Sequence, residues 1–290
     1  MMTNALSSSK GGEMSPINVM VNGIPGNMAV NVAEHVLADD RFALVPCSLT
    51  GSEIQEAQYN LEAISIRLLQ PEIREGKIEK IFQTEGTFIS VDYTHPSAVN
   101  TNAEFYCRHQ LPFVMGTTGG DREQLVKTVQ LSVIAAVIAP NMAKQIVGFQ
   151  AMMAYAAENF PGLFEGYDLQ IRESHQKGKA DTSGTAKAMV RYFNQMGLDF
   201  KEEQITKERD PEIQASRWGI PQKYLTGHGW HTYALTSSDR TVRFEFAHNV
   251  NGRDVYARGT LDAVQYLQAR VNDGAAGIVY SMIDVLQNRS

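Results

Sequence analysis

Ile17-Asn18-Val19-Met20-Val21-Asn22-Gly23-Ile24-Pro25-Gly26-Asn27-Met28-Ala29 decides the fold. Residues 17–21 form a short β-prone run, and the glycines and proline of 22–26 impose a turn. Apolar residues then recur at helical spacing through Ala29, Val32, Ala33, Val36 and Leu37. A second apolar run, Phe42 to Pro46, follows at once, so the segment reads as a βαβ unit and implies a parallel sheet. The pair Gly23-x-x-Gly26 lies between strand and helix, where backbone N–H groups and the helix dipole can hold a pyrophosphate. Val21 stands where the first glycine of a full G-x-G-x-x-G would be. The βαβ setting therefore carries the dinucleotide reading, against the alternative of a tight packing turn.

Further units follow in the same style. Phe88 to Asp92 runs into the helix start His95-Pro96-Ser97, and Pro112 to Met115 runs into Gly116-Thr117-Thr118-Gly119-Gly120 and a polar helix. Val133 to Pro140 supplies another buried strand. After Asn141 the pattern changes to a long helix from about Ala143 to Asn159, then to period-2 segments such as Leu169 to Glu173 and Val242 to Phe246. The expected fold class is α/β: a Rossmann-like doubly wound parallel sheet, plus an α+β substrate and oligomerisation domain with an open mixed sheet. The expected division is a flexible leader over 1–16, a dinucleotide-binding domain over 17–141, and a substrate-binding and oligomerisation domain over 142–262. A C-terminal helix over 263–290 is expected to return to the first domain.

Composition narrows the function classes. The 290 residues are 43% hydrophobic with a net charge of −6, too apolar and too weakly charged for a disordered chain. With 26 Lys+Arg against 32 Asp+Glu and no block of like charges, the basic footprint of a nucleic-acid or anionic-membrane partner is missing. Cys47 and Cys107 are too few and too far apart for a disulfide framework, which fits a reducing compartment. No run reaches the roughly 18 apolar residues of a membrane span, and the Ser/Gly-rich start has no signal-peptide core. The expected location is the cytoplasm, with the plastid stroma after removal of a transit peptide as the alternative.

Three segments carry chemistry. The second strand ends Pro46-Cys47-Ser48-Leu49-Thr50 with no carboxylate until Glu53 to clamp a ribose 2′-hydroxyl. This favours NADPH, with NADH as the alternative, and leaves Ser48, Thr50 and backbone amides to serve a 2′-phosphate. Gly116-Thr117-Thr118-Gly119 offers backbone that can approach a flat ring and two hydroxyls to orient a carboxamide; a strand-terminating turn explains it equally well. The densest segment runs from Glu173-Ser174-His175-Gln176-Lys177-Gly178-Lys179 to Ser183-Gly184-Thr185-Ala186. There Ser183 is expected to cap a helix with the stripe Ala186, Met189, Val190, Phe193, so that the amides of Gly184 and Thr185 form an anion hole. Lys179 adds positive charge and His175 suits proton delivery. His228, Trp230, His231, His248 and Arg253 are either pocket or core residues, and no zinc spacing is completed, so no metal is expected.

Together these pieces resemble dihydrodipicolinate reductase over most of the chain. The resemblance rests on Val21-Asn-Gly23-Ile-Pro-Gly26-Asn-Met28, Val91-Asp92-Tyr-Thr94, Phe113-Val-Met-Gly116-Thr117-Thr118-Gly119-Gly-Asp-Arg and Ala139-Pro140-Asn141-Met142. It continues in Glu173-Ser-His175-Gln176-x-x-Lys179-x-Asp181-x-Ser183-Gly184-Thr185-Ala186. The versions Glu-Ser-His-Gln and Phe246-x-His248-Asn-Val-x-Gly-Arg253 look like the branch found in plants and some bacteria. The resemblance implies NAD(P)H-dependent reduction of 4-hydroxy-tetrahydrodipicolinate to tetrahydrodipicolinate in lysine biosynthesis. It places the cofactor on Gly23, Ile24, Pro25, Gly26, Asn27 and Met28, on Gly116, Thr117 and Thr118, and on Ala139, Pro140, Asn141 and Met142. His175 and Lys179 become the proton-handling pair, with Gln176, Ser183, Gly184 and Thr185 on a small cyclic dicarboxylate. Asn27 stands where the family usually has Arg or Lys, and Gln176 replaces a second histidine. Alternatives are a non-catalytic pyridine-nucleotide-binding protein and a reductase for another small imino or oxo acid. A sheet with one open face also suggests a homo-oligomer, dimer or tetramer.

Overall fold

The computed structural model describes residues 15–288. Residues 1–14 of the expected leader lie outside the described residues. The order of elements is β1 (Ile17–Asn22), α1 (Asn27–Leu37), β2 (Phe42–Leu44), β3 (Cys47–Leu49), β4 (Gln58–Leu61), β5 (Ile64–Leu69), α2 (Pro71–Glu85), β6 (Ile89–Asp92), α3 (Val99–Arg108), β7 (Phe113–Met115), α4 (Arg122–Gln130) and β8 (Ala135–Ile138). Then come α5 (Lys144–Asn159), β9 (Tyr167–His175), α6 (Gly184–Gln195), β10 (Thr206–Glu208), α7 (Pro211–Ser216), β11 (His228–Ser237), β12 (Arg243–Asn251), α8 (Asp254–Asn272), β13 (Ile278–Tyr280) and α9 (Met282–Gln287).

Six strands form one parallel sheet in the order β13-β8-β7-β6-β1-β2. The chain leaves β1 toward β2 on one side and returns to β6 on the other, so the switch point lies between β1 and β6. In open α/β sheets, that is where ligands sit. Alternation along β1 explains the two layers. Val19 and Val21 join a core that includes Ala29 and Val32 of α1 and Leu261 and Val264 of α8. Met20 points the other way, into a core with Phe105 of α3 and Leu125 of α4. The second apolar run is divided: β2 completes the parallel sheet, while β3 pairs with β5 in a small sheet β3-β5-β4. That sheet and α2 were not anticipated, although Pro71 opens α2 and Gly86, at φ +72°, ends it.

The second sheet, β10-β9-β11-β12, is mixed: β9, β11 and β12 are antiparallel and β10 is parallel to β9. Its inner face presents Ile171, Tyr233 and Leu235 to α5 and α6, whose Met153, Ala186, Met189, Val190 and Phe193 complete a separate core. The final helix begins at Asp254, earlier than the Leu261 expected from its pattern, so a boundary at 262 falls inside it. It packs against α1 and reaches β6, β7 and β8, and the chain then adds β13 to the edge of the parallel sheet.

Gly259 of α8 shows how tightly this return is seated, because a Cβ there would collide with the carbonyl oxygen of Met142. Gly76, inside α2, has open space around the same position. Gly76→Ala is expected to raise stability by up to ~1 kcal/mol through helix propensity. Gly259→Ala should lower it by ~1–3 kcal/mol in spite of the same gain. Urea unfolding of the two variants beside the parent checks both signs.

Candidate active site

Two cavities hold the residues singled out in the sequence. The first, of about 800 Å³, opens at the switch point and is lined by Gly23, Pro25, Gly26, Thr50, Tyr93 and Thr94 among others. Gly23 adopts φ +104°, and a Cβ on it would collide with the Tyr93 carbonyl, so only glycine lets the loops after β1 and β6 pass this closely. Gly26 occupies the N-cap of α1, offers no side-chain cap, and is followed by no acid in the first turn. The first amides of α1 have no partner within the helix and carry the positive end of its dipole. An uncapped, acid-free helix start facing a cavity of this size fits a dinucleotide phosphate.

Other expected cofactor residues are placed differently. Ile24 is fully buried, donates its N–H to Ser48 Oγ at 3.2 Å and accepts from Thr50 Oγ1 at 3.1 Å. It shapes the turn, and the Ser48 and Thr50 hydroxyls expected at a 2′-phosphate are engaged in holding it. Asn27 is exposed and Met28 half-buried at the first turn of α1. The flat ring admitted by Gly116 is that of Tyr93, which an added Cβ would strike. Thr117 donates its hydroxyl to Asp92 Oδ1 at 2.6 Å, so it holds the loop and does not offer itself as a free carboxamide partner. Thr118 and Pro140 are exposed; Ala139 and Met142 are buried in the core.

Asp92, fully buried at the end of β6, is the hub of this region. It accepts from Tyr106 Oη at 2.6 Å, Asn102 Nδ2 at 3.0 Å, Thr94 Oγ1 at 2.8 Å and Thr117 Oγ1. One carboxylate thereby fixes the loops after β6 and β7 against α3.

The second cavity, of about 190 Å³, gathers Asn141, His175, Gln176, Lys179, Ser183 and Thr185 with His228, His231, His248 and Arg253. Asn141 comes from the loop three residues after β8, so the carboxyl end of the first sheet reaches this pocket. Gly184 begins α6 and leaves open space where a Cβ would be. Ser183 holds the N-cap position but makes no side-chain cap bond; its N–H donates to Glu173 Oε2 at 3.0 Å. The cap expected from the hydroxyl is thus absent, and the first-turn amides of α6 stay unpartnered by the helix. Lys179 Nζ pairs with the exposed Asp181 at 3.0 Å and is itself 23% exposed.

The residue that organises the pocket was not anticipated. Glu173 is fully buried on β9, on the same face as Ile171 and His175. Its carboxylate accepts from Arg209 Nη2 at 2.5 Å, and it lies 3.8 Å from His175 Nδ1 and 3.7 Å from His231 Nε2. Strand register explains the convergence: Glu173 pairs across with His231, and His231 with His248. The rings of His231 and His248 stack at 4.5 Å. A carboxylate in phase with Ile171 was a readable signal in the period-2 pattern; Arg209, on a loop more than thirty residues away, offered none. His228 belongs to the frame, since Nδ1–H donates to the Tyr224 carbonyl at 3.0 Å and Nε2 accepts from Ser174 Oγ at 2.9 Å.

Burial pushes His175 down to about 3, helped by the nearby charges of Arg209 and Lys179. Burial also takes His248 down to about 4 and His231 well below its ordinary value of 6.5. Between about 6.5 and 3 the unfolded chain therefore binds protons that the folded one refuses. The stabilising contribution is complete above 6.5 and is lost as the pH falls toward the folded values. The unfolding midpoint should drop steadily on acidification from about pH 7 to about 4, and His248→Asn should flatten that slope. Calorimetry across the series checks it.

Among the described residues, no helix is long and apolar enough to cross a membrane. Residues 17–142 match the family model described as dihydrodipicolinate reductase, N-terminus, and residues 146–286 match its C-terminus. The chain is 47% identical over 274 residues to 4-hydroxy-tetrahydrodipicolinate reductase 2, chloroplastic, of Arabidopsis thaliana, covering 93% of this chain and 77% of that protein. It is 44% identical over 272 residues to the probable 4-hydroxy-tetrahydrodipicolinate reductase 2, chloroplastic, of Oryza sativa, covering 94% and 83%. A solved structure of dipicolinate-bound dihydrodipicolinate reductase from Paenisporosarcina superposes with a TM-score of 0.63 at 18% identity, over 92% of this chain and 98% of that one. With both halves matched in order and the plant relatives covering nearly its whole length, this chain belongs to the dihydrodipicolinate reductase family.

Proposed function

We propose that the chain catalyses the NAD(P)H-dependent reduction of 4-hydroxy-tetrahydrodipicolinate to tetrahydrodipicolinate, with loss of water, in diaminopimelate and lysine biosynthesis. The observation that carries the residue assignment is the meeting of Lys179, the uncapped start of α6 and His175 in one pocket beside Asn141. When bound, the reduced nicotinamide supplies hydride, and NADPH is the expected donor, with NADH as the alternative. Gly23, Pro25 and Gly26 with the first turn of α1 hold its phosphates. Asp92 keeps the neighbouring loops in place through the bonds described above.

The substrate carries two carboxylates, so its recognition needs positive charge. Ser183, Gly184 and Thr185 at the start of α6 hold one carboxylate, with Lys179 neutralising it and Gln176 beside it. His175 is neutral in the free pocket because burial and two cations oppose its protonation. Arrival of a dianion reverses that balance, and His175 then holds the proton that the reduced ring needs, with Lys179 as the second donor. Glu173 and Arg209 position both groups: the carboxylate lies beside His175, and Arg209 Nε donates to the Lys179 carbonyl at 2.9 Å.

The loss of reduced-nicotinamide absorbance, followed with enzymatically generated substrate and each cofactor, tests the activity. His175→Ala and Lys179→Ala should each lower turnover by ~10²-fold or more while cofactor affinity stays unchanged. Near-full activity in either variant would remove that residue from the chemistry, and cofactor binding without turnover in the parent would favour the non-catalytic reading.

Self-association is proposed through the second domain, where Val242 just before β12, Phe244 on β12, and Met152 and Tyr155 on α5 are exposed apolar side chains. Light scattering of the full chain should give a dimer or tetramer, and Phe244→Glu should shift it toward monomer. The cytoplasm remains the proposed compartment, and the names of the rice and Arabidopsis relatives support the plastid stroma as its alternative.

A further inference from the structure

The floor of the histidine pocket brings His231, to which the reduction gives no role, beside Glu173 and His175. Glu173, His175 and His231 each offer one ligand atom, and these atoms all lie within 4.8 Å of one another. His231 is only 4% exposed at its side chain, and neither of its ring nitrogens has a hydrogen-bond partner; His175 Nδ1 has none either. Buried imidazole nitrogens are normally satisfied, so two histidines left open toward the same carboxylate call for a ligand.

We propose that Glu173, His175 and His231 form a three-ligand site for a divalent transition-metal ion of the zinc type, and that its occupancy switches the reductase off. Two imidazoles and one carboxylate with a fourth position open to a pocket is a donor set zinc accepts. Bonds of ~2.0–2.2 Å in a tetrahedron put ligand atoms ~3.3–3.5 Å apart. Oε1 lies 3.8 Å from His175 Nδ1 and Oε2 3.7 Å from His231 Nε2, and the three donors lie within 4.8 Å of one another, so closure on one ion needs side-chain shifts of up to about 1 Å. Both imidazoles are neutral near pH 7, so their lone pairs are free for a metal. Arg209 on Glu173 weakens the site without closing it, since each carboxylate oxygen keeps a second lone pair. Linear spacing hides the set, because β9 and β11 bring it together only in the folded sheet. A metal on His175 Nδ1 prevents that ring from carrying a second proton, which is where the inhibition comes from; this step alone rests on the function proposed above.

Cobalt(II) is the probe, titrated into chelator-treated full-length protein. The expected result is one equivalent bound, with the visible absorption of four-coordinate cobalt, displaced by zinc. His231→Asn should abolish the band while its circular dichroism stays that of the parent. X-ray absorption of the zinc-loaded parent should show imidazole and oxygen ligands and no sulfur, which decides the matter if the variant fails to fold. In the reductase assay zinc should lower turnover by ~10²-fold, restored by EDTA. Absence of a cobalt band in excess metal, a sulfur shell implicating Cys47 or Cys107, or unchanged binding in His231→Asn would overturn the site. Binding as described without loss of turnover would overturn the inhibition alone. A parent without reductase activity would instead count against the proposed function, with the cobalt spectra still deciding the site.

Discussion

The pocket depends on one buried ion pair, Glu173 with Arg209. A fully buried carboxylate is costly unless it is paired and hydrogen-bonded, and here it is both, through the guanidinium and the Ser183 N–H. That solution has consequences for three segments. It ties the start of α6 to β9, so the first-turn amides are held where an anion can reach them. It anchors Arg209, whose other nitrogen grips the Lys179 carbonyl and so orders the loop that carries the ammonium. It also places the paired carboxylate beside His175 and His231, whose burial, with the Arg209 charge adding to it, holds both rings uncharged.

The cofactor side is built on the same logic with a different carboxylate. Asp92 gathers hydroxyl, amide and phenol donors from two loops and α3, in a region otherwise made of small residues. Small residues allow close approach but provide no rigidity of their own. The buried hydrogen bonds supply it, which is how a glycine-rich crevice keeps a defined shape. The side chains that look most suited to touch a cofactor, Thr117, Ser48 and Thr50, are the ones engaged in this framework. In the proposed function the cofactor therefore falls to main-chain amides and to the helix start.

The two halves are joined by more than their covalent link. Asn141, in the loop after β8, lines the histidine pocket, and α8 carries the chain back from β12 to the first sheet with Gly259 against the Met142 carbonyl. The segment between β8 and α5 is therefore clasped from both sides.

The sequence by itself determined the βαβ beginning, the run of buried strands, the change to alternating strands after Asn141, and the cluster around His175, Lys179 and Ser183. All of these are local: side-chain period, turn residues and helix starts are written in consecutive residues. The resemblance put Ile24, Thr117 and Met142 at a cofactor; that their side chains are buried is a tertiary fact that adjacency in the chain does not show. Glu173 with Arg209, the His231 and His248 stack, and Asp92 with its donors were decided only by the tertiary structure. Their partners come from strands and loops tens of residues apart, brought together by sheet register. A one-residue slip of that register would turn Glu173 or His231 to the opposite face and leave the pocket without its floor.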